Sequence, residues 1–183
     1  MVALITLFLS HLIADFPLQT NYIYFLKKTS SWGILLHAAI HALVAFLLTG
    51  LRWDLWYVWL FLLGTHAIID WAKLRYKSPK QWTGFLLDQL LHLLIMSIIV
   101  LWQPSLSSIL PGWILYPAFV LAWIPAILMF LWVYASDVVR DHPNPSRTAL
   151  WMRENLLQTS RLSGYPCLVL ALGGLLSNLP ILL

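Results

Sequence analysis

Four pairs of metal-capable side chains recur at one spacing in this chain: His11 with Asp15, His37 with His41, His66 with Asp70, and Asp88 with His92. A separation of four residues sets both members of a pair on one face of an α-helix, one turn apart. All four pairs lie in hydrophobic segments, where an ionisable group is costly unless it pairs, faces a wet cavity or holds an ion. Five of the six histidines are used in this way. Imidazole nitrogen and carboxylate oxygen form the donor set of transition-metal sites, so the pattern predicts a buried metal centre built from these eight residues.

Charge indicates how many ions such a centre holds. With neutral imidazoles, the three carboxylates contribute about −3 and two divalent ions +4, leaving a balance that one bridging hydroxide fills. A single ion leaves too many ligands idle. Five imidazoles beside three carboxylates suit Zn, Fe or Mn better than Mg or Ca, which take all-oxygen shells. The lone Cys167 lies outside the ligand segments and reads as a small buried hydrophobe, neither a thiolate ligand nor half of a disulfide.

The elements that position these residues follow from composition. Of 183 residues, 61% are hydrophobic and 10% charged, with eleven Trp, a balance that belongs to a polytopic membrane protein and not to a soluble domain. Crossing a hydrocarbon core of about 30 Å takes roughly 20 apolar residues in a helix. Six such spans can be laid out: Val2 to about Phe16, with an extension to Phe25 in question, Trp32 to Leu51, Leu55 to Ala72, Trp82 to Trp102, Gly112 to Ala135, and Pro166 to Leu183. Pro17 is expected to end or kink the first. That segment lacks the basic start and small-residue cleavage site of a signal peptide.

Ten of the eleven Lys and Arg fall in alternate loops, with Arg52 alone on the other side. By the positive-inside rule those loops are cytoplasmic, which places both termini on the non-cytoplasmic side. The net charge of +4 is therefore a topology signal and not a nucleic-acid footprint. In this orientation His37, His41, His66, Asp70, Asp88 and His92 lie in the inner half, roughly 5 to 15 Å from the cytoplasmic boundary at 1.5 Å per residue. His11 and Asp15 reach the same layer if the first helix stops near Pro17.

An internal repeat adds to this. The run Gly33, Ile34, Leu35, Leu36, His37, followed by His41 and Leu43, matches Gly84, Phe85, Leu86, Leu87, Asp88, followed by His92 and Leu94. His11, Ile13 and Asp15 likewise match His66, Ile68 and Asp70. The expected fold is an all-α helical bundle of about six transmembrane helices, in which helices one and two and helices three and four are parallel copies about a pseudo-two-fold axis. It forms one transmembrane domain over 1–183: a duplicated four-helix metal-binding core over 1–102, then two further helices and a cytoplasmic basic loop over 103–183.

Other polar residues near the inner surface are candidates to complete the site. Gln19 and Asn21 follow the first pair, Gln89 adjoins Asp88, and Asp137, Arg140, Asp141 and His142 cluster at the end of the fifth span. Gln19, Asp137, Asp141 and His142 are the candidates for a catalytic acid or a positioning group, against a reading as solvated loop residues. Ser146 is placed to cap a helix reaching Leu162, with Arg147, Arg153 and Arg161 near anionic headgroups.

The segments HLIADFPLQT at His11, LLHAAIHAL at Leu35, THAIIDWAKL at Thr65 and FLLDQLLHLL at Phe85 resemble those of a bacterial membrane family catalogued as domain of unknown function 3307. The resemblance covers roughly the first hundred residues. It implies a bacterial inner-membrane protein and little about chemistry. The intramembrane His and Asp pairs also resemble, more distantly, the predicted membrane-bound metal-dependent hydrolases.

The expected function is a membrane-embedded metal-dependent hydrolase that attacks a lipid or lipid-linked substrate with metal-activated water. No Gly-x-Ser-x-Gly elbow and no loop cysteine offers a protein nucleophile. Transport or sensing of a metal ion or protons is the alternative, and ligands confined to one half of the membrane argue against it. A di-iron oxidase or desaturase is a further alternative, against which stands the lack of bundle glutamates. A metal-free proton network, polar packing alone and a structural staple for a partner complex complete the field.

Overall fold

A computed structural model describes residues 1–76 and 78–182, with the backbone alone from 179 to 182. Among the described residues there are eight α-helices and no strand: α1 (Val2–Asp15), α2 (Asn21–Thr29), α3 (Ser31–Leu48), α4 (Trp56–Arg75), α5 (Gln81–Trp102), α6 (Gly112–Asp141), α7 (Arg147–Ser163) and α8 (Tyr165–Leu182). One 3-10 turn, Trp53–Leu55, leads into α4. Four segments are long and apolar enough to cross a membrane: Ser31–Leu48, Trp53–Arg75, Gln81–Trp102 and Gly112–Asp141.

The helix ends follow local chemistry. Phe16 caps α1 and Pro17 comes next, so the chain breaks there and restarts as α2, where the Thr20 side chain accepts from Ile23 N–H. α3 stops at Leu48, short of the expected Leu51, because Gly50 takes φ +86°. Its N–H then donates to Leu47 O and that of Leu51 to Phe46 O, closing the helix in a Schellman motif. Ser146 caps α7 as its sequence position predicts, accepting from Ala149 N–H at 3.2 Å.

α1, α3, α4 and α5 pack in a ring, each helix against the next and α5 back against α1. α6 covers the outside of α1 and α5, α7 folds back along α6, α8 lies against α6, and α2 lies across the start of α3. At about 21 Å, the 14 residues of α1 are shorter than a hydrocarbon core. It is deeply buried, with Leu7, Leu9, Leu12, Ile13 and Ala14 all at or below 1% exposure. The surface is apolar where a soluble protein's is polar: Leu43, Leu60, Ile68, Leu90, Leu101 and Val120 are all more than half exposed. The ring interior holds the histidines and aspartates. Apolar residues outside and ionisable ones inside is the distribution a lipid solvent demands.

α2 comes close to α3 at Gly33. A Cβ built there would lie 2.2 Å from the backbone carbon of Leu26 and 2.4 Å from the nitrogen of Lys27, so only glycine permits this crossing. The bend at Pro17 is covered in the same way by Gly164, whose Cβ would meet the proline ring at 3.1 Å.

Candidate metal centre

Each helix of the ring supplies two of the eight residues, because i,i+4 spacing aims both at the bundle axis. His11 and Asp15 end α1, His37 and His41 straddle the midpoint of α3, His66 and Asp70 lie in the second half of α4, and Asp88 and His92 straddle the midpoint of α5. Neighbours in the ring are antiparallel, so these four stretches fall at one level. Seven of the eight residues are buried, and the Asp15 side chain retains 13% exposure.

The donor atoms converge in three overlapping groups, each within 4.8 Å: Asp15, His37, His41 and His66; His11, His66 and His92; and Asp70, Asp88 and His92. Together they contain all eight. Asp15 Oδ1 lies 3.1 Å from His37 Nε2 and 3.2 Å from His41 Nε2, and the two nitrogens are 3.2 Å apart. Bond lengths of about 2.0 to 2.1 Å place tetrahedral zinc ligands about 3.3 Å from one another, so these three atoms form a face of nearly that size. His66 Nε2 and Asp88 Oδ1 are buried with no hydrogen-bond partner. An unpaired buried polar atom is costly, and an ion between the groups would remove that cost at both positions.

Gln89 ties the halves together. Its amide donates to Asp15 Oδ2 at 3.2 Å, and its Oε1 lies 3.2 Å from His11 Nε2. The His66 ring sits between those of His41 and His92, with centroids 3.7 and 4.1 Å away. Beside His11, His41, His66 and His92, a cavity of about 10 Å³ is walled by Leu62 and Met96. That is close to the space one water occupies.

Two lysines complete the centre that the spacing pattern did not reveal. Lys27 reaches from α2 to donate to Asp70 Oδ2 at 2.9 Å, and Lys73, from the last turn of α4, donates to Asp88 Oδ2 at 2.5 Å. Both side chains belong to loops counted only as positive-inside charge. Neither is close to its partner in sequence, since Lys27 lies 43 residues from Asp70 and Lys73 15 from Asp88.

Asp137, Asp141 and His142 are not among the converging donors. Asp137 is buried, but its Oδ2 accepts from Trp82 N–H at 2.9 Å, so it caps the start of α5, where Lys80 offers no side-chain cap. Asp141 is held by Arg140 at 2.8 Å and Lys80 at 2.5 Å on the surface, and His142 is exposed just past α6. Gln19 donates at 3.4 Å to the backbone oxygen of Asp15 and not to its carboxylate.

A family model described as a protein of unknown function (DUF3307) matches residues 3–116. The chain belongs to the DUF3307 family. The DUF3307 segment runs from α1 into the start of α6 and so contains all eight donors, Gln89 and both lysines. No curated protein and no solved structure matches.

Proposed function

We propose that this protein is a membrane-embedded metallohydrolase with a dinuclear His and Asp centre, acting on a lipid or lipid-linked substrate. The observation that carries this reading is the convergence of eight nitrogen and oxygen donors from four helices. Asp15, His37, His41 and His66 would hold one ion. Asp70, Asp88 and His92 would hold the other with His11, whose ring centroid is 4.7 Å from that of His92. Zn, Fe or Mn would supply Lewis acidity and a hydroxide at neutral pH. Hydrolysis there would exchange one ester bond of the substrate for a bond to the oxygen of water, with the protons of that water going to the leaving oxygen and to solvent.

The protein's own groups orient this chemistry. Gln89 fixes Asp15 against His11, Lys27 and Lys73 pair with the other two carboxylates until an ion takes them, and Leu62 and Met96 wall the imidazoles. Six spans in an inner membrane, with both termini outside and the centre near the cytoplasmic face, accord with the distribution of basic residues. A pseudo-two-fold relation between α1 with α3 and α4 with α5 accords with the ring contacts and the donor groups. In that relation the copy of Asp15, His37 and His41 would be Asp70, Asp88 and His92; His66 of the other half joins the first set, and His11, which groups with His92, would join the second.

The test is metal analysis of detergent-purified protein, followed by incubation with inner-membrane lipids and polyprenyl phosphates under mass spectrometry. About two transition ions per chain and turnover of a lipid ester are expected. A metal-free wild type under non-chelating conditions would refute the centre. Metal flux into proteoliposomes without lipid turnover would replace the hydrolase with a transporter.

A further inference from the structure

The two lysines alter the charge balance of the centre. Both ammonium groups lie at its rim and spend their charge on the second ion's carboxylates, with Lys27 at 12% side-chain exposure and Lys73 at 38%. An ion bound by Asp70 and Asp88 would neutralise those carboxylates, leaving Lys27 without a counter-charge in a poorly solvated place and the more exposed Lys73 free at the rim. Two divalent ions, two ammoniums, three aspartates and one hydroxide then sum to about +2. A phosphate monoester carries nearly −2 at neutral pH, whereas a carboxylic ester carries none and a phosphodiester −1.

We propose that Lys27 and Lys73, freed as the metal pair fills, form with it a recognition site for a phosphate-monoester dianion, which selects phosphoryl over acyl substrates. The proposal rests on the metallohydrolase reading and deepens it. Lys27 and Lys73 come from different helices and donate to Asp70 and Asp88, whose donor atoms lie within 4.8 Å of one another, so both ammonium groups converge on the place where an anion at the second ion would sit. Gly33 serves this arrangement, since the tight crossing it permits brings Lys27 to Asp70.

Inorganic phosphate binding is measured by calorimetry on wild type, Lys27→Met, Lys73→Met and the two Lys→Arg variants, each with its metal count. Nanodiscs of phosphatidic acid and of phosphatidylglycerol form separate arms, which distinguish a lipid headgroup from free phosphate. Metal-loaded wild type should bind phosphate at least tenfold more tightly than metal-free protein. Each Met variant should lose about tenfold at unchanged metal count, with recovery in the Arg variants. Phosphatidic acid should be preferred to phosphatidylglycerol. Equal phosphate affinity in wild type and Met variants, or no gain on metal loading of the wild type, overturns the proposal while a count of two ions leaves the metal centre standing. A wild type without metal overturns both. The metal dependence of the wild type needs no variant to fold.

Discussion

His37 and His41 direct their Nε2 atoms at the same oxygen of Asp15 and stand 3.2 Å from one another. Two imidazoles one turn apart on α3 thus share a focus with a carboxylate at the end of α1. That focus exists because α1 stops at Asp15, which leaves the carboxylate at the level of the α3 pair.

Asp15→Asn keeps the shape of the side chain and removes the charge that both histidines face. We expect the metal content to fall from about two ions to about one per chain, with helicity by circular dichroism unchanged. Retention of both ions would show that Asp15 is not a ligand.

His66→Ala together with Asp70→Ala removes a donor from each of the three overlapping groups. Metal content should drop sharply, toward zero, while the protein still elutes as a monodisperse species. A double variant that keeps two ions contradicts the shared arrangement.

Removing metal with a chelator should lower the apparent melting midpoint in detergent by several degrees, and Zn should restore it where Mg does not. An ion held at a thousand times its dissociation constant contributes about 4 kcal/mol to the folded state. Scanning fluorimetry with and without chelator reads this directly, and identical curves would count against bound metal.

Gly33→Ala places a methyl group against the backbone of Leu26 and Lys27. Overpacking of this kind costs about 1 to 3 kcal/mol. The melting midpoint should fall, and protease cleavage in α2 should accelerate. Unchanged cleavage would mean that α2 does not rest on α3 as described.

Asp137→Ala should destabilise by about 1 kcal/mol through loss of the α5 cap, with metal content unchanged. Loss of metal in this variant would restore Asp137 to the site.

Much of this architecture was legible in the chain because lipid and helix geometry leave few choices. Apolar runs marked the helices, and α5 begins and ends within one residue of expectation. The i,i+4 pairs marked the inward faces, since a lipid-exposed ionisable pair is too costly to keep. The end of α1 could be stated only as a condition on Pro17, and α3 was drawn three residues too long because Gly50 was not read as a left-handed cap. Asp137 and Asp141 could not be separated from the site, because the groups that occupy them, Trp82 N–H, Arg140 and Lys80, come from another part of the chain or from a surface turn.

By itself, the order of residues determined which side chains face inward, since one helical turn sets both members of each pair on one face. Only the tertiary structure decided which donors share a focus and which cations oppose them. Those depend on how α2 crosses α3 at Gly33 and how α1 closes the ring between α3 and α5, and contacts between distant segments arise from packing that no local period encodes.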